Sequence, residues 1–308
     1  ARHYLQVDRQ AYDVIIGDVF HPDLVGRSSL LSVQQFRRAR ARLAPGGLFV
    51  QWLALNQFDP DSLAVVMRSF QHVFPGAVGF IDGFRFALVG PENASFAPLA
   101  AVLSHLPAAG DVPDLSGGEG AWTWLGRYWG RLEMAPGPVQ GEWAPYIEFS
   151  LPQARFRDQV DTASVLKMLL RRRPNVSRAE RALAVPAADR EAFERGYIAT
   201  DLGTRSWLAT LEGDDAQAQR LLRLAYEGNP KDRWIAFSLA DRMFNSLPEA
   251  AAHGLDRRQA LQAILRVRPD HAGALRALWH LEAAAGHTAQ AKAYRERLRA
   301  VSPYSKLD

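Results

Sequence analysis

The sequence predicts an α/β protein in which a mostly parallel sheet is followed by a helical region. Over residues 1–92, strand and helix patterns alternate and end in two consecutive strands. This order is typical of a parallel sheet with crossover helices, and the final pair predicts one antiparallel strand. From residue 155 onward the chain is rich in Ala, Leu and Arg, which favour helices. We therefore expect a sheet region (1–92), a Gly-, Pro- and Trp-rich segment that closes it (93–154) and a helical region (155–308).

Apolar periodicity and turn residues predict the elements of the sheet region. In chain order these are a helix end at Ala1–Val7, a strand at Tyr12–Gly17, a helix at Ser32–Leu43, a strand at Leu48–Leu53, a helix that begins after Asp59, and strands at Ala77–Ile81 and Phe84–Val89. Pro and Gly in Ala44–Gly47 end the second helix. Asp82 and Gly83 predict a two-residue hairpin turn between the last two strands.

Composition excludes several classes of function. The chain has 308 residues and a net charge of +4, with its arginines scattered among acids. A nucleic-acid-binding protein would more often show a concentrated basic stripe, so we expect no nucleic-acid partner. There is no cysteine, and the eight histidines show no metal-ligand spacing, so we expect no metal. No apolar run approaches the roughly 18 residues of a membrane span, so we expect no span in this chain. The lack of cysteine fits a cytoplasmic location, which we therefore expect.

Asp18 is the first candidate for a functional residue. It directly follows the β-branched run of the first strand, which we interpret as a buried parallel strand. In an open α/β sheet, ligands bind beyond the carboxyl ends of the strands. Asp18 would therefore lie in a ligand crevice, and the loop from Val19 to Ser29 would form one wall. The alternative is that Asp18 only caps a turn, and its position leaves both interpretations open.

The helical region shows signs of a repeat. Val160–Arg172 is amphipathic, and we interpret the arginines at its end as stabilising the helix dipole. Pro230, Pro269 and Pro303 each follow a predicted helix and are spaced 39 and 34 residues apart. A 34-residue period is that of the tetratricopeptide repeat. Small residues at turn and packing positions fit this repeat: Gly213 with Ala218, and Gly286 with Ala291. An unrelated helical bundle is the alternative.

Three segments together resemble the spermidine synthase family of polyamine aminopropyltransferases. They are Tyr12–Asp18, Leu43–Gln51 and the Asp82–Gly83 hairpin. Asp18–Pro22 and Gln51–Gln57 are similar to the bacterial branch in which the synthase-like domain follows a membrane domain. Pro145–Pro152 resembles the segment that closes this domain, so the resemblance covers roughly residues 1–155.

The resemblance implies the C-terminal half of a methyltransferase-type Rossmann domain. It implies transfer of an aminopropyl group from decarboxylated S-adenosylmethionine to a polyamine, with Asp18 as the base that deprotonates the amine. His21 occupies the position of a second, amine-binding acid of the family. Gln51 and Asp82 would line the mouth of the crevice. Of the acidic pair in the closing segment, only Glu142 is present.

The family's glycine-rich loop and ribose-binding acid are absent from this chain. We therefore expect that this chain alone binds no cosubstrate, and that it is part of a longer protein. By the same resemblance, the parent would be an integral membrane protein with this part on the cytoplasmic side.

Two other functions remain open. The sheet could be a non-catalytic relic, with the helical region binding a protein partner as a scaffold. Methyl transfer on the same fold is a further alternative. Trp122, Trp124 and Trp129 could form a lid over the crevice, although we favour a packing role because large aromatic side chains mostly pack.

Overall fold

The computed structural model describes residues 2–93, 119–158, 160–248 and 256–302. The chain forms two compact units, Ala1–Asp214 and Asp215–Asp308. The first contains a five-stranded mixed sheet with helices, and the described part of the second is helical. The predicted α/β class is therefore confirmed at this level. Residues 94–118 of the predicted closing segment lie outside the described residues.

The first unit contains five strands and eight α-helices among its described residues. The strands are β1 (Tyr12–Gly17), β2 (Leu43–Ala54), β3 (Val78–Asp82), β4 (Arg85–Pro91) and β5 (Tyr128–Arg131). The helices are α1 (Arg2–Val7), α2 (Val33–Arg40), α3 (Pro60–Val73), α4 (Glu119–Leu125), α5 (Tyr146–Phe156), α6 (Thr162–Arg172), α7 (Val176–Leu183) and α8 (Arg190–Leu211).

The sheet has the order β1-β2-β4-β3-β5. β1 and β2 are parallel, whereas β4 pairs antiparallel with both β2 and β3. The predicted antiparallel strand at the hairpin is therefore present. β5, which pairs antiparallel with β3, was not predicted. Its four residues lie in the Gly- and Trp-rich segment and are too few to show a strand period.

Two predicted element boundaries are wrong. The hairpin turn is Gly83–Phe84, one residue later than predicted, because Asp82 still pairs with Arg85. Gly83 has a φ of +61°, a left-handed conformation that glycine adopts without steric cost. β2 begins at Leu43, and its register shifts from Tyr12–Leu43 to Val14–Leu48, so residues 44–47 form an irregularity inside the strand.

The prediction that the first strand is buried is also wrong. β1 is an edge strand, and Val14 and Ile16 are 53% and 64% exposed. Parallel strands are normally buried on both faces. On this side of the sheet, β1 therefore presents an apolar surface that no described element covers.

Aromatic side chains dominate the core on one face of the sheet. The rings of Phe36, Phe49, Phe70 and Phe74 lie 4.9–5.9 Å apart and join α2 and α3 to β2. Two of the three tryptophans discussed above are buried, Trp129 in this core and Trp122 on the opposite face. Their burial agrees with the packing interpretation.

Helices α6, α7 and α8 belong to the sheet unit. Leu166 and Leu169 of α6 lie in the same core as Phe70, and Phe193 of α8 lies in the same core as Phe80 of β3. The predicted boundary at residues 154/155 thus falls inside the first unit, and the division into compact units lies at residues 214/215.

Two glycines allow α8 to approach the turn after α4 closely. A Cβ atom at Gly196 would lie 2.1 Å from the carbonyl oxygen of Thr123, and one at Gly126 would lie 2.2 Å from the backbone of Gly196. Neither backbone can yield, so an alanine at either position would push the two segments apart. The end of α4 and the turn that leads into β5 are therefore in direct backbone contact with α8.

Arg173, the residue after α6, fixes this crossing. Its side chain is 3% exposed and lies against the rings of Trp129 and Tyr197, with Cζ 4.4 and 3.7 Å from their centroids. Nη2 donates to the carbonyls of Gly126 (2.8 Å) and Tyr197 (2.9 Å), and Nη1 lies 3.2 Å from Asp201. Burial lowers the pKa of this guanidinium, while Asp201 favours its charged form. The terminal arginines thus do more than stabilise the helix dipole.

We predict that Arg173→Met will destabilise the attachment of α8 by about 3 kcal/mol, because it removes one partner of a buried ion pair and two hydrogen bonds. Arg205→Met is the matched control, since Arg205 also pairs with Asp201 (2.6 Å) but is half-exposed. The control substitution should lower the stability of this attachment by less than about 1 kcal/mol. Hydrogen exchange of the α8 amides measures both effects, and equal protection in the two variants would contradict this role.

The second unit contains five described helices, each packed on the next. They are α9 (Asp215–Gly228), α10 (Arg233–Asn245), α11 (Arg257–Val267), α12 (Ala272–Ala284) and α13 (Thr288–Val301). α9, α11 and α13 end before the three prolines, as predicted. Gly286 has a φ of +78° in the turn between α12 and α13, and Ala291 is buried. Both agree with the small-residue pattern.

A buried carboxylate on α12 links this helix to α11 and to the turn before α13. Glu282 of α12 accepts from Nε and Nη2 of Arg258 (2.7 and 3.2 Å) and lies 2.6 Å from Nδ1 of His287. These contacts, His287 first, lower the pKa of Glu282. A lowered folded-state pKa stabilises the fold above the usual glutamate value of about 4.3. This contribution is lost as the pH falls through the folded-state pKa.

We therefore predict that Glu282→Gln lowers the melting temperature of the second unit by several degrees at pH 7, and that the difference shrinks toward pH 3. Circular dichroism melts over this pH range test it. Glu296→Gln, in a long and exposed pair with Lys292 (3.9 Å), is the control and should change little. If Glu282→Gln lowers the melting temperature by the same amount at pH 3 and at pH 7, the ionic role of Glu282 is contradicted.

Candidate functional site

The site is built at the end of the parallel pair β1–β2. Gly17 and Gln51 are register partners, so the C-terminal ends of both strands lie at one edge of the sheet. Asp18 follows β1 and is exposed. Its Oδ1 accepts a hydrogen bond from the N–H of Val19 (2.7 Å), and the carboxylate forms no ion pair within the described ranges. Asp18 is therefore an accessible carboxylate at this edge, with no counter-ion among the residues that the structure describes.

Gln51 holds the backbone beneath Asp18. Its side-chain Nε2 donates to the carbonyls of Trp52 (3.0 Å), Asp18 (3.3 Å) and Gly17 (3.4 Å). A Cβ atom at Gly17 would lie 2.3 Å from Oε1 of Gln51, so a larger residue before Asp18 would displace the Gln51 amide. Gln51 is 3% exposed. The structure thus brings Gln51 and Asp18 together, with Gln51 as a buried support of the strand ends.

The loop after Asp18 carries His21 and Asp23. The imidazole of His21 is 61% exposed, and its Nδ1 lies 3.4 Å from Nε2 of Gln57 and 3.9 Å from Oδ1 of Asp23. Oδ2 of Asp23 lies 3.2 Å from Arg155 of α5. Oδ1 is buried and accepts no hydrogen bond from the described part of the chain. A carboxylate oxygen with a free lone pair therefore lies beside His21.

Asp82 lies at the same edge but farther along the sheet. β3 runs in the direction of β2, so its last residue is at the C-terminal edge. Three strand spacings separate β1 from β3, a distance of about 14 Å. The Asp82 carboxylate pairs with Arg85 and with Arg127 (3.3 Å). The structure therefore does not bring Asp82 to Asp18, and two cations already occupy its carboxylate.

The segment before α5 fixes the loop wall of the site. Gln140 is fully buried, donates to the carbonyl of Ser28 (3.3 Å) and accepts from the N–H of Ile147 (2.9 Å). Ser28 also donates to Glu148 (2.8 Å). Glu142, the one acid of the closing segment, forms a two-point ion pair with Arg38 of α2. Glu142 thus holds the segment in place.

Gln57, Asp23 and Arg155 were not predicted as site residues from the sequence. Gln57 follows the end of β2 in a 3₁₀ turn, and its polar side chain at a strand end was a usable signal. The pairing of Asp23 with Arg155 depends on the return of α5 to the loop, which no local pattern predicts.

Within the described ranges, no group of three or more His, Asp or Glu side chains could hold a metal ion. None of the described helices combines the length and apolar character needed to cross a membrane. A scan against protein-family models and searches of curated proteins and of solved structures gave no match to this chain.

Proposed function

We propose that the first part of this chain, roughly residues 1–155, is the C-terminal half of a spermidine synthase-like domain. In the complete protein, the domain would transfer an aminopropyl group from decarboxylated S-adenosylmethionine to a polyamine. The observation that carries this proposal is the exposed Asp18 carboxylate, which has no counter-ion among the described residues and follows the parallel strand β1. The resemblance of the flanking segments to the family supports it.

The chemistry requires little of the protein beyond orientation and one proton transfer. The amine nitrogen attacks the carbon next to the sulfonium, the new C–N bond forms as the C–S bond breaks, and the sulfur leaves as a neutral thioether. The nitrogen then carries one proton too many, which Asp18 accepts. Holding the amine in line supplies a further part of the rate. Gln51 supports this step because its amide fixes the carbonyls of Gly17 and Asp18.

Asp23 provides a carboxylate for the cationic acceptor. His21 stands where the family has its second acid, and the buried Oδ1 of Asp23 lies 3.9 Å from the ring of His21. An ammonium group would supply the hydrogen bond that this oxygen lacks. We therefore assign amine binding to Asp23 together with His21.

The uncovered face of β1 supports the proposal that the complete domain has a larger sheet. Val14 and Ile16 are exposed, and their β2 register partners Leu48 and Val50 are only half-buried. Further strands and a helix of the complete domain would cover this face, in keeping with the burial of parallel sheets on both faces. Those elements would supply the glycine loop and the ribose-binding acid, so this chain alone would not bind the cosubstrate.

The finer fold assignment is part of the same proposal. The sheet would be the C-terminal part of a methyltransferase-type Rossmann fold, and helices α9–α13 would form tetratricopeptide-like pairs. The glycine turn at Gly286 and the packed Ala291 support the second assignment. In the membrane-fused branch of the family, this chain would lie on the cytoplasmic side.

We predict that Asp18→Asn in the complete protein lowers turnover about 10²–10⁴-fold, because the amide cannot accept the proton. Cosubstrate binding should change little. Asp13→Asn, an exposed acid on the same strand, is the matched control and should leave turnover unchanged. Asp23→Asn should instead raise the KM for the amine. Steady-state kinetics with a diamine measures all three, and full activity of Asp18→Asn would make Asp18 structural.

A further inference from the structure

The second unit carries a groove that the proposed reaction does not use. It has a volume of about 400 Å³ and is lined by residues of α9, α10 and α11 and by Leu247. Its apolar part is formed by Met243 and Leu247, which are half-buried, and by Ala260, Ala263 and Ile264. Met243 and Leu247 also pack against the core of this unit. The groove therefore opens directly onto apolar core side chains.

The rim of the groove is cationic. Arg223 of α9 and Arg266 of α11 are exposed and line it, and neither forms a hydrogen bond or ion pair with a residue that the structure describes. Other arginines of the unit have acidic partners, such as Arg242 with Asp215 and Arg258 with Glu282. Among the described residues no acid lines the groove, and the remaining polar lining residues are Gln219, Gln259 and Ser246. Two guanidiniums that have no ion-pair partner in the described part of the chain thus flank an apolar depression.

We propose that this groove docks a peptide segment of a protein partner in which one or two large apolar side chains are flanked by acidic residues. The apolar side chains would lie against Met243 and Leu247. Carboxylates on either side would pair with Arg223 and Arg266, whose planar guanidiniums suit two-point recognition. A volume of about 400 Å³ accepts side chains of that size. The inference does not depend on the proposed transferase reaction.

A nucleic acid fits these observations less well. Proteins that bind single strands combine a basic groove with aromatic side chains on which bases stack. The lining residues include no aromatic side chain. An apolar groove between two cations instead complements a peptide that carries both apolar and acidic side chains.

The test is fluorescence anisotropy on the full chain with a labelled peptide of alternating leucine and glutamate. Two peptides of equal length serve as controls, one with lysine for glutamate and one with serine for leucine. We expect a Kd of roughly 10–100 μM for the first peptide and at least about 10-fold weaker binding of both controls. Arg223→Ala with Arg266→Ala should weaken binding of the first peptide by about 10-fold or more.

Arg276→Ala is the matched variant, because Arg276 is exposed on α12 and does not line the groove. It should bind like the unchanged chain. Met243→Lys tests the apolar part and should abolish binding, with an unchanged circular dichroism spectrum as proof of folding. No binding at about 1 mM, equal binding of the lysine peptide, or no effect of the double arginine substitution would overturn the proposal. Tighter binding of a short RNA that displaces the peptide would also overturn it.

Discussion

The position of Arg173 decides how the first unit is assembled. Its guanidinium contacts Trp129 of β5, the carbonyl of Gly126 and two residues of α8, so one side chain joins the sheet to the helices that follow it. Burying a cation is costly, and here Asp201 and the flanking aromatic rings offset that cost. The glycines at 126 and 196 allow the backbones to meet at the same point. As a result, helices α6, α7 and α8 are part of the same compact unit as the sheet.

The site depends on a second constraint, the register of β1 and β2. The irregularity at residues 44–47 lets β2 pair with β1 again from Val14–Leu48 to Gly17–Gln51. Within it, a Cβ atom at Gly47 would lie 2.9 Å from the carbonyl of Tyr12, so only glycine allows this approach. This register places Gln51 under the carbonyl of Asp18. Residues 44–47, which were predicted to end the second helix, thus lie inside β2 and align the site.

Local elements could be predicted because their causes are local. Asp59 accepts hydrogen bonds from the N–H groups of Asp61 and Ser62 and begins α3, and Asp161 does the same for α6. Exposure of β1 could not be predicted in this way, since an apolar run is the same whether or not a neighbour covers it. The role of Arg173 was hidden for a similar reason. Three consecutive arginines at a helix end look alike, and only the return of α8 buries the third.

In the candidate site, too, some features follow from the local sequence and others depend on the fold. Asp18 at the end of a strand and Gln51 at the matching point of the next strand follow from strand order. The distance of Asp82 from Asp18 depends on the insertion of β4 between β2 and β3. The position of Asp23 depends on its ion pair with Arg155. Arg155 is far from Asp23 in sequence and comes close only when α5 packs against the loop. Contacts that join distant segments are set by the fold as a whole.

The proposed aminopropyltransferase activity of this sheet can be tested by incubating the complete protein with decarboxylated S-adenosylmethionine and a diamine and analysing the products by mass spectrometry. We expect equal amounts of the aminopropylated amine and of the thioether released from the sulfonium. If the complete protein binds the cosubstrate but yields neither product, or methylates the amine when given S-adenosylmethionine, the proposal is contradicted.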